Sequence, residues 1–345
     1  ATMPDGQGQV SHFSLGSAKR IEVLRGPFSA LYGNSSGGVI QILTEDGAKE
    51  PTITPSVAFG SFGTSRIGLK ASGVAPAART DYVLEASRFD TNGYRVHSAA
   101  TRDAGNAKLK FALGEATSVS LIGNTVNMPD AQDPLGLTRA QYDADPRQVD
   151  PGAITFNTRK SVRQTQGGMV FDHRLSESNA LRVMAYTGAR DVNQVLSIPV
   201  GTQGPTSHSG GVVDLVRDYT GLDMRWTHKN RLFGGPLTLT GGFNYDRLDE
   251  KRKGYNNFIG STLGVQGALR RDEDNRVSNF DQYAQGEWHF AEDWQLSAGV
   301  RASRVRFNSA DNFLSNGNDS GAAKYSAVTP VGGLVYHLTD AINLY

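Results

Sequence analysis

The chain has 345 residues, with 35 Lys and Arg against 34 Asp and Glu, a net charge of +1, and no cysteine. This near-neutral balance shows no clustered basic face and argues against a nucleic-acid partner. The missing cysteine removes disulfide frameworks, thiolate metal sites and cysteine nucleophiles together. The sequence has no apolar run of 18 or more residues, so a transmembrane helix is excluded. Low hydropathy, abundant glycine and 9% aromatic residues still fit a membrane wall built of strands, in which only alternate residues face lipid. No charged-apolar-small export signal is visible at Ala1, so the expectation is that an exported protein has lost its N-terminus or that the chain starts part-way through a longer one.

The first fifty residues predict a compact α+β fragment. Residues 20–24 read as a strand and Gly26-Pro27 as a turn. A helical turn follows at 29–31, then a glycine-rich bend at 33–38 and a strand at 39–44. Such a fragment is too small to bury a core of its own.

From about residue 52 the pattern changes to period two. Ala107, Leu109, Phe111 and Leu113 oppose Asn106, Lys108, Lys110 and Ala112. Further along, Leu222, Met224 and Trp226 oppose Asp223, Arg225 and Thr227, and Leu237, Leu239, Gly241, Phe243 and Tyr245 oppose Thr238, Thr240, Gly242, Asn244 and Asp246. At 294–302, Trp294, Leu296, Ala298, Val300 and Ala302 oppose Gln295, Ser297, Gly299 and Arg301. Alternation over about 9–11 residues is the length a tilted strand needs to cross a bilayer. The polar parity carries charges, which a sandwich core rejects and a wet lumen accepts. Short connectors are expected near 74–80, 114–116, 174–179, 230–236, 291–293 and 338–341. Longer polar ones alternate with them near 92–101, 127–160, 192–217, 250–277 and 308–323. Short turns at one end and long loops at the other predict an antiparallel membrane barrel. The count is about twelve strands and the start of a thirteenth at 342–345. A barrel must close, since an open edge in lipid leaves backbone groups unpaired, so further strands are expected beyond this sequence.

The run Ile21-Glu22-Val23-Leu24-Arg25-Gly26-Pro27, then Ala30-Leu31-Tyr32-Gly33, then Gly37-Gly38-Val39-Ile40 resembles the end of the plug domain of TonB-dependent outer-membrane receptors. Phe59-Gly60-Ser61-Phe62-Gly63 and Gln282-Tyr283-Ala284-Gln285-Gly286-Glu287-Trp288 are similar to that family's barrel. The resemblance runs from about residue 10 to the end and is densest at 20–44. It implies a 22-stranded barrel plugged by an N-terminal globular domain. By this reading, residues 1–50 are the C-terminal part of the plug and 51–345 the N-terminal part of the barrel. It also implies energised import of scarce nutrients, typically ferric siderophores, driven by TonB pulling on an N-terminal box. That box, the first part of the plug and nine or ten strands are expected outside this sequence. The implied setting is the bacterial outer membrane, with lipid and lipopolysaccharide around the wall. The chelate is cargo, and no resident cofactor is expected.

Arg25 resembles the family arginine that meets barrel-wall carboxylates, and Glu287, on the polar parity, is its candidate partner. With Glu22 it forms a candidate plug–barrel latch, either releasable or static. Gly26, Pro27, Gly33, Gly37 and Gly38 read as tight plug turns, since no Gly-Lys-Ser/Thr follows to make a phosphate loop. The seven histidines show no paired metal spacing, and the Asp- and Asn-rich stretch 311–319 lacks the closing glutamate of a calcium loop. Candidate ligand contacts are Tyr94, Arg95 and His97 in one outer loop and Arg252, Lys253, Tyr255 and Phe258 in another. Cationic and aromatic groups suit an anionic, partly aromatic chelate, but they also serve membrane interfaces and lipopolysaccharide phosphates. Other cargoes (cobalamin, a copper or nickel complex, a carbohydrate), a passive porin and a secreted β-sandwich remain as alternatives. No catalytic constellation is visible, so an enzyme is not expected.

Overall fold

Alternating side chains force a strand to present two unlike faces, and that property organises the whole molecule. The computed structural model describes residues 13–24, 31, 39–339 and 341–344. Arg25, Gly26, Pro27, Gly33, Gly37 and Gly38 therefore lie outside the described residues. Strands β1 (Ala18–Leu24) and β2 (Val39–Thr44) pair antiparallel, with Ile21 opposite Ile42 and Val23 opposite Ile40.

The remaining long strands form one antiparallel meander. They are β3 (Thr52–Gly60), β4 (Thr64–Ala75), β5 (Thr80–Thr91), β6 (Ala100–Ala112), β7 (Thr117–Gln132), β8 (Arg159–Arg174) and β9 (Asn179–Val195). The series continues with β10 (Val212–Leu232) and β11 (Gly235–Tyr255). A small hairpin of β12 (Phe258–Ile259) and β13 (Thr262–Leu263) stands apart from the wall in the loop that follows. Then come β14 (Leu269–Ala291), β15 (Trp294–Asp311), β16 (Gly321–Thr339) and the short β17 (Ile342–Leu344). Thirteen strands make one sheet, each beside its neighbour in sequence, as the period-two reading predicts. Two short helices, α1 (Arg139–Ala144) and α2 (Pro151–Thr155), lie in the loop between β7 and β8. Thr138 and Gln141 form a capping box on α1, and the Asp150 carboxylate caps α2.

The turns alternate as expected, but the strands are longer. At the short end, Phe233 and Gly234 both take positive φ (49° and 83°), the two-residue mirror-image turn that matches strand twist. At the long end, β11 runs to Tyr255 and β14 begins at Leu269, so most of the expected 250–277 connector is strand. The β7–β8 connector is likewise only 133–158, and the β9–β10 connector 196–211.

The two faces differ chemically. Ile67, Leu84, Leu121, Met169, Leu222, Leu239, Val300 and Val328 all lie on one face of the sheet and are exposed. An apolar face this continuous across the middle of the strands is a lipid-facing surface. Near the short turns it carries a chain of rings: Phe233–Trp288 at 6.0 Å, Trp288–Phe290 at 5.6 Å, Phe290–Trp294 at 6.2 Å and Trp294–Tyr336 at 4.6 Å. Phe243 and Phe280, at 6.2 Å, stand toward the other margin. Beyond Tyr245 the same face of β11 turns to Arg247, Asp249, Lys251 and Lys253. Leu237 to Tyr245 spans about 26 Å of strand, roughly 20 Å of height at a tilt of about 40°. That height is close to the apolar band of an outer-membrane barrel, about 25 Å, with aromatic girdles at its margins.

Candidate functional site: the polar lumen wall

The opposite face carries the charges. Glu85, Arg190, Arg217, Glu250, Asp281 and Arg301 are all on it, and all are buried. Strand pairing puts them there in sequence: Glu85 opposes Asn106, Arg190 opposes Arg217, Arg217 opposes Glu250, and Asn244 opposes Asp281. Buried charges persist only when paired and hydrogen-bonded. Arg217 Nε donates to Glu250 Oε2, and Asn275 Nδ2 donates to Glu250 Oε1 at 3.3 Å. Arg301 Nη2 donates to Asp281 Oδ2, which also accepts from Asn279 Nδ2 at 2.7 Å. The Arg301 guanidinium lies 5.5 Å from the Tyr283 ring centre, and the Tyr283 hydroxyl donates to Asp223 at 3.3 Å.

Beside this belt lies a lumen-facing cavity of about 520 Å³, lined in part by Asn124, Gln166, Tyr186, Arg190, Arg217 and Tyr219. The Tyr219 hydroxyl donates to Gln166 Oε1 at 2.6 Å, and Tyr186 donates to Asp246. Amides, guanidinium groups and phenols lining one open cavity can bind oxygen-rich anions and stack on rings. Among the described residues there is no group of three or more His, Cys, Asp or Glu that could hold a metal ion.

A second cluster joins the β1–β2 fragment to the wall. Lys108 Nζ donates to the carbonyls of Thr44 and Glu45, each at 3.1 Å, and to Asp46 Oδ1 at 2.9 Å. Lys110 Nζ lies 3.7 Å from the same carboxylate, and Lys70 Nζ pairs with Glu45 at 2.7 Å. Asn106 Nδ2 donates to Ser17 Oγ at 2.7 Å, and Ser14 Oγ donates to Glu85. The hydrogen bond from Lys108 holds the Asp46 carboxyl below its ordinary value, against a smaller opposing effect of burial. Lys108 and Lys110 read in the sequence only as polar parity. The acidic Glu45-Asp46 pair immediately after β2 was the available signal.

The expected latch residues lie only partly within the described chain. Glu22 pairs with Arg20 two residues away, at 2.5 Å, on the same face of β1. Glu287 faces the lumen as expected, and its Oε1 accepts from Gln285 Nε2 at 3.0 Å. Arg25 lies outside the described residues.

The expected ligand residues make contacts within the outer loops and strands. Arg95 donates to three carbonyls, of Gln148 at 2.9 Å, Pro134 at 3.0 Å and Leu135, and so fastens the 92–99 loop to the 133–158 loop. His97 Nε2–H donates to the Thr158 carbonyl at 2.8 Å. Tyr94 meets Phe62 edge-on at 5.3 Å, with the Arg147 guanidinium 6.0 Å from its ring. Arg252, Lys253 and Tyr255 belong to β11 rather than to a loop. Adjacent strand positions face opposite ways, so Arg252 shares the lumen face with Glu250 while Lys253 points outward and pairs with Asp272 at 3.4 Å. Phe258 sits on the small β12–β13 hairpin. Sequence reasoning missed the pin of this region: fully buried Asn257 accepts from Gln203 at 2.6 Å and donates to the Leu196 and Ile198 carbonyls.

A sheet apolar outside, charged inside, ringed by aromatics and linked to a small N-terminal fragment defines a wall segment of an outer-membrane barrel. Residues 80–345 match the family profile "TonB dependent receptor-like, beta-barrel", and the chain belongs to that family. Its members are outer-membrane receptors rather than enzymes. Solved structures with the same fold include the ferric citrate transporter FecA, unliganded, at 20% identity and a TM-score of 0.78 over 96% of this chain and 49% of that one. The ferric-catecholate import receptor Fiu of E. coli K12, in an open form, matches at 15% identity and 0.75 over 95% and 58%. The ferric yersiniabactin uptake receptor FyuA of Yersinia pestis matches at 16% identity and 0.71 over 94% and 50%. The chain thus spans about half the length of these structures.

Proposed function

We propose that the protein to which this chain belongs imports a metal chelate, a ferric siderophore, across the outer membrane with energy delivered by TonB to a segment N-terminal of residue 1. Residues 1–50 are then the end of the plug and 51–345 the first part of the barrel wall. The observation that carries the reading is the lumen wall itself: a passive pore has no need of a separate strand pair fastened to its inside by Lys108, Lys110 and Lys70. Arg25 and Glu287, with Glu22 nearby, stay as a further candidate contact in that latch. The cavity beside Tyr186, Tyr219, Arg190 and Arg217 suits an anionic chelate passing along the wall. Lipid and lipopolysaccharide are the surroundings of the outer face.

The test is uptake of iron-55 chelates by cells that carry the full-length gene as their sole receptor of this type. Uptake of a ferric siderophore that stops when the proton gradient is collapsed supports the reading. Accumulation of cobalamin, copper or nickel complexes or a carbohydrate instead replaces the cargo. Uptake that survives collapse of the gradient indicates a passive pore and overturns the energised mechanism.

A further inference from the structure

Three lumen-facing tyrosines share one construction. Gln166 on β8, Gly188 on β9 and Tyr219 on β10 stand side by side across the sheet. The Tyr219 hydroxyl reaches over the glycine and donates to Gln166 Oε1 at 2.6 Å. The next row runs the other way: Tyr186 on β9 crosses Gly221 on β10 and donates to Asp246 on β11. In a third row Tyr283 on β14 crosses Gly242 on β11 toward Arg225 on β10, whose Nε donates to the hydroxyl at 3.3 Å.

Strand side chains ordinarily stand off the sheet, and a tyrosine doing so projects its ring into the lumen. Glycine on the neighbouring strand removes the obstacle to folding the ring down. A Cβ at Gly188 would lie 2.5 Å from the Tyr219 ring carbon that bears the hydroxyl and 2.7 Å from Gln166 Cβ. One at Gly221 would collide with the Tyr186 ring. Neither glycine has a positive φ, so the close approach alone demands glycine there. Each ring lies along the wall and reaches a partner about two strand spacings away, roughly 10 Å. Tyr186 and Tyr219 both line the cavity of about 520 Å³, and their flat setting leaves that volume open.

We propose that Gly188 and Gly221 set the width of the lumen passage by letting the Tyr219 and Tyr186 rings lie against the wall, and so limit the bulk of the chelate that passes. The two glycines are positioning residues that act through the rings. The proposal rests on the import reading, with the chelate moving between plug and wall. Restoring a side chain at either glycine forces a ring off the wall, detaches its hydroxyl and narrows the passage.

The experiment uses the full-length receptor in non-ionic detergent. Residues 1–345 hold no cysteine, and any outside them is replaced by serine. Asn124→Cys, on the cavity lining, introduces one thiol, which is treated with a methyl methanethiosulfonate and with fluorescein maleimide. With both glycines intact the thiol is expected to take both reagents. Gly188→Ala is expected to react with the small reagent at the unchanged rate and to lose most of its reaction with the bulky one. Gly221→Ala acts alike through Tyr186. Adding Tyr219→Ala to Gly188→Ala restores the bulky reaction, which a general loss of stability would not do. Tyr219→Ala alone, with Gly188 kept, speeds the bulky reaction and serves if the alanine variants do not fold, as heat-modifiable migration reports. Size selectivity unchanged by these substitutions overturns the proposal. A thiol closed to both reagents with the glycines intact also overturns it, since the plug then fills the cavity. Iron-55 uptake is read separately: its absence overturns the import reading and leaves the labelling result standing.

Discussion

Lys108 Nζ grips Asp46 Oδ1 at 2.9 Å and the two carbonyls just before it, so one barrel-wall ammonium holds the chain where β2 leaves for the wall. The Lys108 side chain is 14% exposed and that of Asp46 46%, which places the ion pair between a surface contact and a buried one. Lys108→Met is expected to weaken attachment of the 39–48 segment by about 1–2 kcal/mol. Amide hydrogen exchange across 39–48 in the full-length receptor measures it. Exchange unchanged from the native protein would show that Lys70 and Lys110 suffice.

The same contact sets a pH dependence. Asp46 ordinarily titrates near 3.8, and the Lys108 hydrogen bond holds its folded-state value lower. A depressed carboxyl contributes stability that is complete above its unfolded value and is lost as the pH falls through the folded one. Attachment of 39–48 is therefore flat from pH 7 to about 5 and weakens below about 4. Asp46→Asn is expected to remove that acid-side loss while lowering attachment at pH 7. Exchange rates corrected for intrinsic pH effects give the comparison.

Arg217 and Glu250 form a buried pair on the lumen wall, their side chains 10% and 9% exposed. Arg217→Ala strands a buried carboxylate and is expected to destabilise the barrel by about 3–5 kcal/mol. The double change Arg217→Met, Glu250→Leu removes both charges and recovers much of that loss. Denaturant unfolding from detergent, followed by tryptophan emission, is the measurement, and a double variant as unstable as the single one contradicts the account.

Leu239 faces lipid in the apolar band, and its neighbour Thr240 faces the lumen. Leu239→Arg is expected to cost about 2–4 kcal/mol of folding stability, whereas Thr240→Arg costs under about 1 kcal/mol. Equal effects at the two positions would mean that the faces are assigned the wrong way round.

Arg95→Ala frees three carbonyls between two outer loops. Local opening of residues 133–158 is expected to become easier by about 2–3 kcal/mol, with barrel unfolding unchanged. Limited proteolysis of that loop provides the readout.

The alternation, the order of turns and the strand count were all readable because lipid and water demand opposite side chains on alternate residues. The strand ends were not. Above the apolar band both faces meet water, so residues 269–276, Leu-Arg-Arg-Asp-Glu-Asp-Asn-Arg, lose the period and look like a loop, yet they are part of β14. Arg252 and Lys253 were misplaced into a loop for the same reason. Arg95 has the residue type of a ligand contact, but its three carbonyl partners lie about forty to fifty residues away, and no local pattern announces them. The attachment through Lys108 and Asp46 was hidden in the same way, by a sequence separation of 62.

The overlong strands have a mechanical consequence. From Arg276 back to Leu269, β14 rises about 23 Å along its axis past the upper aromatic residues, paired to β11 across Arg276–Asp249 and on up to Leu269–Tyr255. The outer loops therefore rest on a stiff hydrogen-bonded collar rather than on the bilayer. A loop can shift without dragging lipid with it, and a molecule landing on the rim first meets the receptor some 20 Å out in the polysaccharide layer, at a tilt of about 40°.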